Sequence, residues 1–129
     1  MIETAGLTHL QILISDLDRS LRFYREVFGM EELFRAGPDL VFLSTPGSRD
    51  LVTLHINRDP AQVSSIGKMG GVSHFGFRLL DGSRLDDAVA VAEKAGGRLI
   101  HRGEHMPGFP FAYVADPDGY MIELLPMMS

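Results

Sequence analysis

The 129-residue chain has no cysteine and no tryptophan, no long apolar run and no block of basic residues. Each absence removes a class of function. Without cysteine there are no disulfides, thiolate metal sites or cysteine nucleophile, so a bound metal must take its donors from His, Asp or Glu. No stretch of roughly 18 apolar residues is present to cross a bilayer, and the first residues lack the basic-then-apolar layout of a signal peptide, which predicts a cytosolic protein and no membrane partner. Seventeen acidic against twelve basic residues, a formal net charge of -5 and no Lys/Arg cluster argue against a nucleic-acid partner. What is present suits one globular domain: 45% hydrophobic and 22% charged residues, in a chain long enough to bury its own core.

The chain repeats itself. Leu7-Thr8-His9-Leu10-Gln11-Ile12 and Val72-Ser73-His74-Phe75-Gly76-Phe77 share one pattern of apolar, hydroxyl, His, apolar, any, apolar, so His9 matches His74. An aspartate and then an arginine follow at equal offsets, Asp16 and Arg19 in one copy, Asp81 and Arg84 in the other. Leu17, Leu21, Tyr24 and Phe28 then recur at helical spacing, with Asp16 or Asp18 as N-cap and Gly29 as the stop. In the second copy Ser83 is the expected cap, Leu85, Ala88, Val89 and Ala92 the stripe, and Gly96-Gly97 the end. Three short strands are expected after each helix: Glu31 to Arg35, Leu40 to Ser44 and Leu51 to Ile56, then Arg98 to Arg102, Phe111 to Ala115 and Met121 to Leu125. The reading is α+β, a βαβββ module about 7–57, a linker about 58–71 and a second βαβββ module about 72–126, within a single domain, 1–129.

Successive side chains alternate across a strand. His9 therefore faces away from Leu10, Ile12 and Ile14, His74 away from Phe75, Phe77 and Leu79, and Glu123 away from Ile122 and Leu124. If each helix covers the aliphatic face of its own sheet, the opposite faces surround a cleft where His9, His74 and Glu123 converge. Two neutral imidazoles and one carboxylate suit Fe(II), Mn(II) or a similar divalent ion and leave coordination positions open for substrate and dioxygen. A carboxylate in an apolar strand would cost several kcal/mol if left unpaired, and a metal accounts for it.

From His9 with "DLDRSLRFYREVFGM" to "DPDGYMIELLPM", the chain resembles the vicinal oxygen chelate superfamily, which includes glyoxalase I, type I extradiol dioxygenases, fosfomycin-modifying thiol transferases, methylmalonyl-CoA epimerases and bleomycin-binding proteins. The resemblance implies a U-shaped sheet around a metal cleft with the helices outside, His9, His74 and Glu123 as ligands, and a homodimer or pseudo-dimer. Thr53 stands where glyoxalases and epimerases place a fourth ligand, and His55 lies two residues on, on the same face. Gly103, His105, Tyr113, Asp116, Pro117, Gly119 and Glu123 resemble the extradiol dioxygenase signature, with Ala112 at a position where a larger residue is usual. This implies a catechol-cleaving iron enzyme using dioxygen, with Tyr113 as a donor near the substrate oxygens, His105 at the cleft mouth, and His55 or His105 as proton carrier. His101 is expected at the surface. The apolar loop "MPGFPF", 106–111, suggests a small aromatic or greasy substrate. Two other readings stay open: a metal-dependent lyase or thiol transferase using Mn, Ni or Zn, and a metal-free binding protein.

Overall fold

The computed structural model describes residues 1–68 and 70–127, so Met69 within the expected linker lies outside them. In chain order the elements are β1 (Leu10–Ile14), α1 (Leu17–Phe28), β2 (Glu31–Arg35), β3 (Leu40–Ser44), β4 (Val52–Ile56), α2 (Pro60–Ser64), β5 (Phe75–Leu79), a 3-10 turn (Gly82–Arg84), α3 (Leu85–Lys94), β6 (Arg98–Met106), β7 (Phe109–Ala115) and β8 (Met121–Pro126). The first four strands form a sheet in the order β1-β4-β3-β2, and the last four repeat it as β5-β8-β7-β6. In both sheets the first and last strands of the module pair in parallel, and every other pair is antiparallel. The duplication read from the two histidine motifs is thus a duplication of topology.

Local chemistry explains the helices. The Asp16 side chain accepts from the Arg19 amide to start α1, and Gly29, at φ +66°, ends it in the left-handed conformation that glycine adopts without steric cost. Leu21 and Tyr24 of the expected stripe are buried, Leu17 and Phe28 half-buried, and Phe23 is buried as well. Ser83 does not cap the second helix. The Asp81 carboxylate takes the Ser83 amide and hydroxyl and starts a 3-10 turn that runs into α3, whose own first residue has no side-chain cap. The expected linker contains α2, capped by Asp59 with Pro60 in its first turn. The apolar 106–111 stretch is a tight hairpin rather than an open loop, because β6 runs on to Met106 and β7 begins at Phe109.

The aliphatic faces of both sheets join the inner faces of α1 and α3 in one core that includes Ile12, Ile14, Leu54, Val89, Val114, Ile122 and Leu124. Phe28 of α1 stacks on Phe77 of β5 with centroids 3.8 Å apart, tying the two modules. A second tie is polar. Within the turn between β7 and β8, Asp116 is buried and accepts the Tyr24 hydroxyl at 2.7 Å and the amides of Asp118, Gly119 and Tyr120. Asp118 accepts from Arg19 at 2.9 Å and from the hydroxyls of Ser15 and Ser20. Tyr120 donates to the Leu13 carbonyl and accepts from the Leu13 amide, so its hydroxyl stands in for a neighbouring strand on the outer edge of β1. The turn also presses on the segment before β5. A Cβ on Gly67 would lie 2.1 Å from the Gly119 carbonyl oxygen, and Gly67 has φ +78°, so only glycine fits there.

Candidate metal centre

The strand registers lay out the site as a row across the second sheet. Gly76 stands opposite Glu123, Glu123 opposite Tyr113, and Tyr113 opposite His101. Period-two alternation puts this row on the face away from the core, while Ile122 and Leu124 point into it. Glu123 is nevertheless 7% exposed. Its neighbours bury it, and they are imidazoles: His74 Nε2 lies 3.3 Å from Oε1, and His105 Nε2 lies 2.7 Å from Oε2. Among the described residues no Lys or Arg contacts it. A buried carboxylate faced by two imidazoles and the Tyr113 phenol, with no Lys or Arg contact among the described residues, is a candidate site for a cation.

The surroundings hold these rings in place. The Ser73 hydroxyl bonds His74 Nδ1 at 2.9 Å, leaving Nε2 for Glu123, as an outer hydrogen bond orients a ligand imidazole. Tyr113 stands edge-on to His74 at 4.9 Å. Burial first, and then the Glu123 charge, raises its phenol above the ordinary value and keeps it a hydrogen-bond donor. His105 sits where the β6–β7 register shifts, between Glu104 and Met106, and stacks on Phe111 at 4.3 Å. Phe111 in turn meets Tyr113 edge-on at 5.3 Å. Across from Phe111 is Gly103, where a Cβ would come within 2.8 Å of the ring; its bareness lets the ring lie over β6.

Of the residues expected to act, the chain brings Glu123, His74, His105 and Tyr113 together. His9 is exposed and precedes β1, just as His74 precedes β5; the strands begin one residue later than the alternation argument placed them. Among the described residues no three His, Asp or Glu of one chain are arranged to hold a metal, so His9 does not complete the set within a single copy. His55 is half-buried on β4, opposite Leu13 and Leu40, in the other module. His101 is exposed, tilted against Phe111 at 5.6 Å. Thr53 is wholly buried and its hydroxyl donates to Gln11 Oε1 at 3.1 Å, so the place equivalent to Glu123 offers no carboxylate.

Sequence reasoning missed the roles of Ser73, Tyr24, Asp118 and Tyr120. The hydroxyl beside each histidine was the signal for Ser73. The Asp-Pro-Asp-Gly-Tyr run signals a turn, but nothing in it points to the helix that it grips.

Two like modules, each presenting one histidine at the head of its first strand, and a carboxylate on the last strand of the second, define a paired-module protein with a candidate metal cleft. The chain belongs to the Glyoxalase/Bleomycin resistance protein/Dioxygenase superfamily, whose model matches residues 6–124. It is 31% identical to an uncharacterised protein of Pseudomonas aeruginosa over 91% of this chain and 85% of that one. It is 32% identical to a lactoylglutathione lyase of Arabidopsis thaliana over 91% of this chain and 42% of that one. It is 31% identical to the catechol-2,3-dioxygenase of Bacillus subtilis over 95% of this chain and 41% of that one. The chain thus spans less than half the length of those two enzymes. Its fold matches a family member from Burkholderia phytofirmans at a TM-score of 0.75 and 22% identity, covering 96% and 100% of the two chains. It also matches a mutant of the fosfomycin resistance protein FosX of Listeria monocytogenes, complexed with Mn(II) and a dihydroxypropylphosphonic acid, at 0.77 and 17%, covering 98% and 93%.

Proposed function

We propose that the protein is a metal-dependent enzyme that works as a homodimer, and that it cleaves the ring of a small catechol-like substrate with dioxygen. His74 and Glu123 of one copy and His9 of the other would hold the ion, Fe(II) ahead of Mn, Ni or Zn. The observation that carries this reading is Glu123, buried with an imidazole on each oxygen and no Lys or Arg contact among the described residues. The second copy enters because Asp116 and Asp118 tie the two modules of one chain in an arrangement in which His9 does not join Glu123.

A divalent ion on three protein donors supplies Lewis acidity, open positions for two adjacent substrate oxygens, and electron transfer to dioxygen. The chain's own groups do the rest. His105 engages Oε2 and leaves Oε1 to face His74; the Phe111 and His105 rings offer a flat wall to an aromatic substrate; Tyr113 donates to a substrate oxygen. His55 and His105 are the candidates for moving the substrate's proton, since an imidazole can both accept and donate one. Likeness to the Bacillus subtilis catechol-2,3-dioxygenase supports the reading. Likeness to the Arabidopsis thaliana lactoylglutathione lyase favours a second one, a metal-dependent lyase or thiol transferase, against which stands Thr53 with its hydroxyl engaged by Gln11. Against a metal-free binding protein stands the gathering of His74, His105 and Glu123 on the face of the second sheet away from the core.

The test is metal content by elemental analysis after anaerobic purification, for wild type, His9→Ala, Glu123→Gln and a co-expressed mixture of the two variants. Near-stoichiometric iron in wild type, its loss from each variant, and recovery of one of the two sites in mixed dimers are expected, with oxygen uptake on adding catechol. Manganese, nickel or zinc with activity in the absence of oxygen would move the assignment to the lyase reading. No metal in wild type would overturn both.

A further inference from the structure

An open cavity of about 620 Å³ lies between β1, the segment that joins α2 to β5, and the start of β8. Its volume is in the range that takes a small molecule. Glu123, Tyr113 and His105 are not among its walls, so it is separate from the candidate metal centre, with His74 alone common to both. Leu10, Ile66, Val72, Phe75 and Met121 make the lining largely apolar. Against that lining stands one full positive charge, Lys68, whose amide donates to the Ser65 carbonyl. Among the described residues Lys68 is in no ion pair. No described Asp or Glu lines the cavity, although the chain carries 17 acidic residues and a net charge of -5. The wall holds a second donor. Parallel pairing engages alternate residues of a strand, so Leu10, Ile12 and Ile14 bond to β4 while Gln11 and Leu13 turn their N–H and C=O groups to the outer edge. The Tyr120 hydroxyl, on the same cavity wall, takes both groups of Leu13. Those of Gln11 have no protein partner among the described residues.

We propose that this cavity is a second, metal-independent binding site, for a small apolar monocarboxylate. Its carboxylate pairs with the Lys68 ammonium and accepts from the Gln11 amide, while its hydrocarbon body lies on Ile66, Phe75 and Met121. An anion is favoured over a neutral ligand because a cation without a counter-charge, on a wall free of acids in an otherwise acidic chain, is complementary to a negative group. One carboxylate is favoured over a phosphate or a dicarboxylate because the apolar lining would leave further charged oxygens unpaired.

The experiment is calorimetric titration near neutral pH of 3-phenylpropanoate, its neutral amide and 3-phenylpropylammonium into wild type, Lys68→Gln, Lys68→Arg and Lys94→Gln, with and without excess EDTA. Lys68 is exposed, so its replacement leaves folding intact, and Lys94, at the end of α3, is the chain's other lysine and controls for net charge. Wild type should bind the acid about tenfold more tightly than the amide, the worth of one charge-assisted hydrogen bond, and the ammonium most weakly. Lys68→Gln should bring the acid down to the level of the amide, while Lys68→Arg and Lys94→Gln keep the preference and EDTA changes nothing. Equal affinity of wild type for acid and amide, no binding of any probe, an undiminished preference in Lys68→Gln or the same loss in Lys94→Gln would overturn the proposal. A preference abolished by EDTA would overturn it too, by assigning the carboxylate to a bound metal. None of these failures touches the reading of Glu123 and its histidines.

Discussion

Glu123 Oε2 and His105 Nε2 lie 2.7 Å apart, on two strands that are not neighbours, with β7 between them. The contact reaches over the Phe111 and Tyr113 side of β7, so His105 fixes the carboxylate from across the sheet while His74 approaches from the other flank.

Replacing His105 by Ala should therefore lower metal affinity by about 10- to 100-fold, the usual cost of losing a partner that orients a ligand. Chelator competition would measure it. Because His105 also pairs the buried Glu123 and stacks on Phe111, the metal-free protein should lose about 1–3 kcal/mol in urea unfolding as well. An unchanged affinity would exclude His105 from holding Glu123.

Tyr24→Phe removes the hydroxyl that Asp116 accepts in the core. A hydrogen bond to a charged buried group contributes about 1.5–3 kcal/mol, and urea unfolding should show a loss of that size. A loss below about 0.5 kcal/mol would mean that the amides of Asp118, Gly119 and Tyr120 suffice for the Asp116 carboxylate.

Asp116 also gives a pH signature. Burial, the largest cause, raises its carboxyl above 3.8 despite the hydrogen bonds that lower it. A folded-state value above the unfolded one contributes stability that is fully present below 3.8 and lost as pH rises through the raised folded value. Stability of wild type relative to Asp116→Asn should thus improve as pH falls from neutral toward 3.8. The exposed carboxylates with lowered values, Glu32, Asp39 and Asp81, are common to both proteins and cancel in the difference. Chemical unfolding at a series of pH values would detect it; a flat difference would place the Asp116 carboxyl at its ordinary value.

Gly67→Ala puts a methyl group into the Gly119 carbonyl at a backbone angle that alanine avoids. A loss of about 2 kcal/mol or more is expected. Gly108→Ala, with equally positive φ but open space around it, should cost less. Equal losses would remove the close approach as the cause.

The fold was legible where a side-chain pattern carries it. The repeat around His9 and His74, the stripe of Leu21 and Tyr24, and the alternation that turns Glu123 from the core each follow from one element's own geometry. What failed to show was contact between distant elements. Ser83 looked like a cap because serine is a good one, but Asp81 two residues earlier competes for the same amides. Likewise the convergence of His9 with Glu123 follows from symmetry between modules, whereas the observed docking is set by Tyr24, Arg19 and Leu13 meeting one turn. No periodicity records that meeting.

That turn ends at Tyr120, and β8 begins at the next residue, with Glu123 three residues along the chain from the tyrosine whose hydroxyl grips Leu13. The carboxylate thus rides a short stiff lever whose far end is bolted to α1 and β1.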